Sequence, residues 1–401
     1  MTPFHAELAS LQARFDAMQP ELEATLRDPA LGVEGYVVVW NTGISLGGPL
    51  ERCGKGGTRI TPTVSLDEVR MLARTMALKN AAAGLALGGA KSGLKLDPDA
   101  PGFERQYRRF VRLCAPLLQE NGGPFGGFGF DLGGRPEHAI WACDELKSTR
   151  CFTGKSLSMG GTDYDREGIA GLGVAVAGAT LLRLQGEEPA SATFAVQGLG
   201  AMGAAVLRYF SEAGARLAAL GDPRYGGTWT FGRPLSEALQ RALVLQDTAR
   251  AGALVAAEGT RLSGSAEEVL YQAVDVLFPC AVQEVITADN VHRVRARYLC
   301  EGANGPVTPA ARSSLHRRGV ALVPDFIANP GGAVAAYVEL TSSGTAKAEE
   351  AKALAREKIA ANVRTVFDLV RRHGCEPQHA ALYLALTRIH ETSGARRGSP
   401  E

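Results

Sequence analysis

The sequence predicts an α/β protein. It has an N-terminal α/β domain, a doubly wound domain with a parallel sheet, and C-terminal helices that return to the first domain. Three observations carry this expectation. In the second half, short apolar runs alternate with helical stretches, the pattern of strands joined by crossover helices. A glycine-rich turn stands between one such strand and the helix after it. The first half has a strand and amphipathic helices of its own, and 401 residues suffice for two cores. The expected divisions are 1–164, 165–332 and 333–401.

Taken in order, residues 5–27 read as one surface helix, because Leu8, Leu11, Phe15 and Met18 recur at helical spacing. Residues 35–40 (GYVVVW) read as a strand, and a glycine-rich loop follows from Gly43 to Gly57. Ser65-Leu-Asp-Glu68 has capping-box spacing. Leu66, Val69, Leu72, Ala73 and Met76 then form one apolar face, the helix reaches about Asn80, and Gly84 is a natural stop. Gly88 to Pro98 reads as a loop entering a strand. Phe103, Tyr107, Phe110, Val111, Cys114 and Leu118 trace a further amphipathic helix. In the second half, residues 193–197, 216–220, 274–278, 298–300 and 320–323 are candidate buried strands. Residues 346–369 and 377–391 are rich in helix formers.

Composition narrows the function. The 43 basic and 42 acidic residues leave a formal charge of +1, which argues against a nucleic-acid or membrane-surface partner. Seven cysteines without a C-x-x-C pair suit a reducing cytoplasm. The N-terminal stretch MTPFHAELASLQARFDAM lacks the apolar run of a signal peptide. Apolar stretches such as 172–182 are far shorter than the ~20 residues a membrane span needs. The expectation is a soluble, cytoplasmic protein.

Gly198-x-Gly200-x-x-Gly203 follows a predicted strand and opens a predicted helix, and Asp222 ends the next strand. This context makes it a Rossmann-type dinucleotide fingerprint. The glycines permit a tight turn and close approach to a pyrophosphate, which sits at the helix N-terminus. Asp222 is placed to hydrogen-bond the adenosine ribose hydroxyls, which favours NAD. Arg224, two residues on, leaves NADP open, since a guanidinium can hold the 2′-phosphate. A second glycine pattern, Gly84-x-x-x-x-Gly89-Ala90-Lys91-Ser92, is not a P-loop, because Ala90 separates the glycine from the lysine and a strand follows.

Lys55, Lys79 and Lys91 fall within 37 residues, each beside small residues. Small neighbours let a ligand approach, and partial burial lowers a lysine pKa toward neutrality. Five segments occur in one order: Lys55-Gly-Gly-Thr-Arg59, residues 79–91 (KNAAAGLALGGAK), Gln197-Gly-Leu-Gly200, Glu301-Gly-Ala-Asn-Gly-Pro306 and residues 324–332 (PDFIANPGG). Together they resemble the glutamate/leucine/phenylalanine/valine dehydrogenase family over about residues 40–345.

The resemblance implies roles by position. Lys91 would activate the water that attacks an imine, and Asp131, in Phe130-Asp131-Leu132-Gly133, would be the acid/base. Lys79 would hold the substrate α-carboxylate, with Asn329 near the substrate and Asn304 near the nicotinamide. The first domain would bind substrate and help to build a homo-oligomer, commonly a hexamer. The chemistry is coherent: hydride leaves the amino-acid Cα, an iminium forms, a near-neutral lysine deprotonates water, and a carboxylate shuttles the proton on nitrogen. In reverse, a 2-oxo acid is aminated with ammonia.

The resemblance has departures. Lys55 matches the lysine that binds the distal carboxylate in glutamate enzymes, a position that is typically leucine in enzymes for apolar amino acids. Ala336 stands where glutamate enzymes carry a serine, and it cannot hydrogen-bond a carboxylate. Residues 79–85 are closer to the leucine-type sequence, and Ala170 stands where a threonine usually contacts the nicotinamide amide. A charge pair from Lys55 outweighs one lost hydroxyl, so glutamate is the expected substrate. The alternatives are an apolar amino acid, or a non-catalytic regulatory member of the family.

Overall fold

A computed structural model describes residues 2–394. The chain forms two compact units, the first from Met1–Asp163, Ala333–Ala351 and Leu382–Glu401, the second from Tyr164–Gly332 and Lys352–Ala381.

In the first unit a five-stranded sheet runs in the order Leu22–Asp28, Val33–Trp40, Gly88–Leu94 and Gly54–Lys55, with Thr58–Ile60 also paired to Gly88–Leu94. Leu22–Asp28, Val33–Trp40 and Gly88–Leu94 pair antiparallel, and the two short strands pair parallel. The strand Gly88–Leu94 is buried at every residue. It begins at Gly88 itself, where a loop was expected, because its glycines let a helix lie directly on it. That helix is Leu66–Ala82, capped by Ser65 Oγ, which accepts from the Glu68 N–H at 3.2 Å. A Cβ on Gly89 would fall 2.1 Å from the Ala73 carbonyl oxygen and 2.4 Å from the Ala77 nitrogen. On the other face, Phe110, Phe125, Phe128 and Phe152 fill the core with the helix Phe103–Cys114.

The single helix expected over 5–27 is corrected. The helix is Pro3–Asp16, and the rest forms the edge strand Leu22–Asp28. Pro20 disfavours helix at the residue before it. Leu22, Ala24, Leu26 and Asp28 are half-buried while Glu23, Thr25 and Arg27 are exposed, the period of a strand with one covered face. Its partner supplies the pairing, with Ala24 opposite Val37.

In the second unit seven strands lie in the order Thr260–Ser263, Gly227–Thr230, Arg216–Asp222, Thr193–Gln197, Val276–Pro279, Tyr298–Cys300 and Ala321–Val323. The last five are parallel. The first two are an antiparallel edge that the sequence reading lacked. Only the short turn Pro223–Tyr225 and Gly226, at φ +75°, join Arg216–Asp222 to Gly227–Thr230. A parallel crossover needs about a dozen residues, so this connection forces a hairpin. The strand order reverses about Thr193–Gln197, which has its sequence successors on both sides. Such a switch point opens a crevice at the carboxyl ends of the strands.

The C-terminal segment 333–401 was expected to return to the first unit as a whole. Residues 352–381 group with the second instead. Small residues on the helix Ile169–Leu184 make this contact: a Cβ on Gly173 would lie 2.5 Å from Ile359 Cδ1. Lys352 also pairs with Glu167. The chain then rejoins the first unit, where Arg388 donates to the carbonyls of Ala81 and Ala82 at 3.1 and 2.7 Å. No described helix is long and apolar enough to cross a membrane.

The Gly89 contact yields a test. Gly89→Ala should lower stability by about 2–3 kcal/mol through overpacking, read as a lower urea midpoint; an unchanged midpoint would show that the helix can stand off the strand.

Candidate active site

Lys91 sits mid-strand, opposite Val38, and is 5% exposed. Its ammonium lies 2.9 Å from Asp131 Oδ2. Arg59, on Thr58–Ile60, donates through Nε to the same oxygen at 3.1 Å and through Nη1 to Glu68 at 2.6 Å. Gly57 makes room for this: a Cβ there would be 2.6 Å from the Phe130 carbonyl and 3.2 Å from Asp131 Cβ. Burial pulls the Lys91 pKa down, and Asp131 only partly restores it. For Asp131, burial pushes upward, but Lys91 and Arg59 together win and its pKa is lowered. The pair therefore combines a carboxylate held ionised with a lysine that gives up its proton more readily than one in water.

Lys55 is 3% exposed. Its ammonium donates to the carbonyls of Phe128, Gly127 and Gly56 at 2.6, 2.7 and 3.1 Å. Burial lowers its pKa to about 7. Asn80 ties this region to the helix end by donating to the carbonyls of Lys55 (3.1 Å) and Gly88 (2.8 Å), while its Oδ1 is buried without a donor. Lys79, its neighbour, is half-buried in the last turn of that helix. Ala336 is buried in the helix Gly331–Thr341, three residues before Glu339.

In the second unit the glycine turn has a shape that suits a pyrophosphate. Gly198 has φ +80°, and a Cβ on Gly203 would be 1.8 Å from the Gly198 carbonyl oxygen. The space beside Gly200 is open, with nothing within 4 Å of a Cβ there. The helix Ala201–Glu212 starts at Gly200 without a side-chain cap, so no capping side chain blocks its first N–H groups, a setting that suits an anion. Two buried acceptors close in sequence to these motifs, Gln197 Oε1 and Asn329 Oδ1, have no donor among the described residues. Unmatched buried acceptors of this kind suit a ligand that brings donors.

Asp222, expected on the ribose, is engaged by the chain itself. Its Oδ2 accepts from the Leu199 N–H at 2.7 Å and from Arg224 Nη2 at 2.8 Å. Its Oδ1 accepts from the Arg224 N–H at 2.8 Å and from Nε at 3.0 Å. Burial opposes the charge, but these donors outweigh it and the pKa is lowered. Asn304 and Asn329 come together: Asn329 Nδ2 donates to Asn304 Oδ1 and to the Gly302 carbonyl, both at 3.1 Å. Asp325 Oδ2 accepts from the Gly305 N–H at 2.9 Å. Glu301, fully buried, accepts from the Asp325 N–H and bidentately from Arg312, with both Nη2 contacts at 2.9 Å.

The structure thus joins Lys91 with Asp131, and Asn304 with Asn329. It adds residues that sequence reading did not assign: Arg59, Arg312, Lys155 and Glu339. Arg59 lay inside the Lys55–Arg59 segment, two strand positions beyond Gly57. Lys155, between Gly154 and Ser156, has small neighbours as Lys55 and Lys91 do. Glu339 is a lone acid in the apolar run AVAAYVEL, a pattern that marks a buried, paired charge.

Comparison with known proteins adds to this. The family model for Glutamate/Leucine/Phenylalanine/Valine dehydrogenase matches residues 160–397, and that for the Glu/Leu/Phe/Val dehydrogenase dimerisation domain matches 30–126. An NADP(+)-dependent glutamate dehydrogenase of Pyrobaculum calidifontis is 35% identical over 318 residues, 76% of this chain and 72% of that protein. A catabolic NAD-specific glutamate dehydrogenase of Bacillus subtilis is 28% identical, covering 94% of this chain and 89% of its own. The hetero-hexameric glutamate dehydrogenase of Thermus thermophilus, in a leucine-bound form, superimposes with a TM-score of 0.73 at 27% identity, covering 99% of this chain and 97% of that one.

The Glu301–Arg312 pair can be tested directly. Arg312→Ala leaves a buried carboxyl without its counter-charge and should cost about 3 kcal/mol of stability, measured by denaturant unfolding; a loss below about 1 kcal/mol would mean that the carboxyl is tolerated unpaired.

Proposed function

Because the chain belongs to the glutamate/leucine/phenylalanine/valine dehydrogenase family, we propose that it catalyses the reversible NAD(P)-dependent oxidative deamination of L-glutamate to 2-oxoglutarate and ammonia. The observation that carries this reading is the buried Lys91–Asp131 pair, with its 2.9 Å contact and its lowered lysine pKa. Relatives named as NADP(+)-dependent and NAD-specific glutamate dehydrogenases support both the substrate and the cofactor class.

Each residue has a task in this reading. Lys79 holds the α-carboxylate and Lys55 the distal carboxylate. Gly198, Gly200 and Gly203 admit the pyrophosphate to the start of the helix Ala201–Glu212, and Asp222 with Arg224 meets the adenosine ribose. Asn304 and Asn329 line the nicotinamide and substrate. When bound, the dinucleotide supplies the hydride acceptor. Asp131 takes a proton from the substrate ammonium, so that the free amine can become an iminium as hydride departs from Cα. Neutral Lys91 removes a proton from water, whose oxygen adds to the iminium carbon. Asp131 then returns its proton to the nitrogen; as the C–N bond breaks and ammonia leaves, the carbinolamine hydroxyl gives its proton to the re-ionised Asp131 and the carbonyl forms. Homo-oligomeric assembly belongs to the same proposal, supported by the dimerisation-domain match and the hexameric neighbour. The free, buried cysteines are consistent with a cytoplasmic setting.

One observation favours a second reading, an apolar amino acid as substrate. Lys55 already donates to three carbonyls, and Ala336 offers no hydroxyl.

Initial rates with NAD and NADP, crossed with glutamate, leucine, valine and phenylalanine, test the proposal. Glutamate should lead, and inactivity in every combination would overturn it. Lys91→Ala should lower kcat by roughly 10²–10⁴-fold with dinucleotide binding retained, as followed by fluorescence titration. The kcat for deamination should rise with pH along a limb whose midpoint lies below the ordinary lysine value, since the active form of Lys91 is the neutral one and its pKa is lowered. A midpoint at the ordinary value would remove Lys91 from that role. Lys55→Leu should abolish glutamate turnover while any leucine activity persists; retained glutamate turnover would favour the apolar reading.

A further inference from the structure

Asp131 is held by two cations rather than one. Its Oδ2 accepts from Lys91 Nζ at 2.9 Å and from Arg59 Nε at 3.1 Å. The two cationic nitrogens therefore lie no more than 6.0 Å apart, the sum of those distances. Arg59 Nη1 reaches Glu68 Oε1 at 2.6 Å. The pair of Lys155 and Glu339 shows how this unit closes a buried carboxylate with neutral groups. The two are 2.7 Å apart, and Glu339 Oε1 accepts from the N–H groups of Gly154 (2.9 Å) and Thr162 (2.8 Å) and from Thr162 Oγ1 (2.6 Å). At Asp131 Oδ2 a guanidinium takes the place that a neutral donor could fill. A second cation beside Lys91 disfavours the lysine's own charge, so strengthening the pair does not explain it.

Among the described residues, the titratable groups that face Lys91 are Asp131, Arg59 and Glu68. Burial and Arg59 oppose its protonated form, while Asp131 and Glu68 favour it. The strand Val33–Trp40 sets uncharged Val38 opposite it. Arg59 acts on the pair twice. It repels the Lys91 ammonium, and it shares the oxygen that would otherwise serve that ammonium alone. At an effective dielectric of about 20, like charges about 6 Å apart move a lysine midpoint by roughly two pH units. The Arg59 side chain is 21% exposed, so water screens part of this effect, and about one pH unit is expected.

We propose that Arg59 is a positioning residue for deamination, which shares Asp131 Oδ2 with Lys91 so that Lys91 can release its proton while Asp131 keeps a counter-charge. The proposal rests on the reading of Lys91 as the group that activates water. The proton that leaves Lys91 passes to solvent before turnover, the guanidinium keeps all of its own, and Asp131 stays a carboxylate. Neutral Lys91 is then ready to take a proton from the attacking water. A guanidinium that only fastened Thr58–Ile60 to its surroundings would behave differently. Its loss would lower activity at every pH alike and leave the midpoint of the profile where it was.

The test is the pH profile of kcat for glutamate deamination, at saturating glutamate and dinucleotide, for the wild type, R59Q, E68Q and Lys91→Ala. Glutamine carries its amide nitrogen at the same place along the side chain as the arginine Nε. R59Q therefore keeps a donor for Asp131 Oδ2 and removes the charge. The limb on which activity rises with pH should move up by about one pH unit, roughly a tenfold loss of kcat at pH values below it, with a smaller loss on the plateau above. E68Q keeps an acceptor for Arg59 Nη1 and removes the counter-charge, so its limb should move down, by about half a pH unit. The proposal is overturned if R59Q leaves the limb in place or lowers the whole profile alike, or if E68Q leaves the limb in place or moves it up. Should R59Q fail to fold, E68Q decides alone on the same terms. Lys91→Ala separates the two levels. If it keeps the wild-type kcat and limb, the reading of Lys91 fails and the inference falls with it. If it abolishes turnover while the R59Q limb stays in place, only the role of Arg59 fails.

Discussion

An ammonium group inside a fully buried strand is the constraint on which the first unit depends. Every residue of Gly88–Leu94 is buried, and Lys91 sits at its centre. A buried charge is tolerable only when paired and hydrogen-bonded. Asp131 must therefore reach it, and Asp131 has room only because Gly57 has no side chain. The strand is buried in the first place because Gly89 lets the helix Leu66–Ala82 rest on its backbone. That same helix brings Glu68 to Arg59 and Asn80 to the carbonyl of Lys55. The small residues and the charged ones are thus two parts of one solution.

The second unit handles polar groups differently. Around Lys91 and Lys55 the chain satisfies its charges internally. Around the glycine turn it leaves polar capacity open: helix N–H groups without a side-chain cap, and the buried acceptors Gln197 Oε1 and Asn329 Oδ1. Asp222 is the exception, since it braces the turn through Leu199 and holds Arg224. A ribose hydroxyl would have to displace one of those donors. A 2′-phosphate would instead compete for the Arg224 guanidinium. In the reading proposed above, the same two residues would meet either cofactor, and each cofactor would have to break their mutual bond.

What the sequence made legible was local. The strand at 193–197, the turn after it and the strand that ends at Asp222 were readable because an apolar run, a glycine spacing and an acid lie within 30 residues. The helix 66–82 announced itself through its cap and apolar face. The edge strand Leu22–Asp28 was misread because its half-buried pattern becomes a strand only against Val33–Trp40. The hairpin at 227–230 and 260–263 was missed for the same reason, since it is fixed by a short turn and a distant partner. At the site, the lysines and Asp131 could be named from motifs, but their partners could not. Lys155 and Glu339 stand 184 residues apart, and no local spacing links them.

In the proposed mechanism, Arg59 lets Lys91 give up its proton without leaving Asp131 unpaired. Were Lys91 the sole cation near Asp131, its neutralisation would strand a buried carboxylate, and the loss would oppose deprotonation. Arg59 bonds the same oxygen, Oδ2, and stays charged at any working pH. Asp131 therefore keeps a counter-charge when Lys91 loses its proton. Glu68, bonded to Arg59 from the helix, prevents the guanidinium from becoming a surplus cation that would depress Lys91 too far. The four groups alternate in sign, and a proton can leave one end of the row without leaving any member unpaired. In the proposed mechanism, that property, rather than the closeness of the lysine and the carboxylate alone, is what would suit the pair to proton transfer.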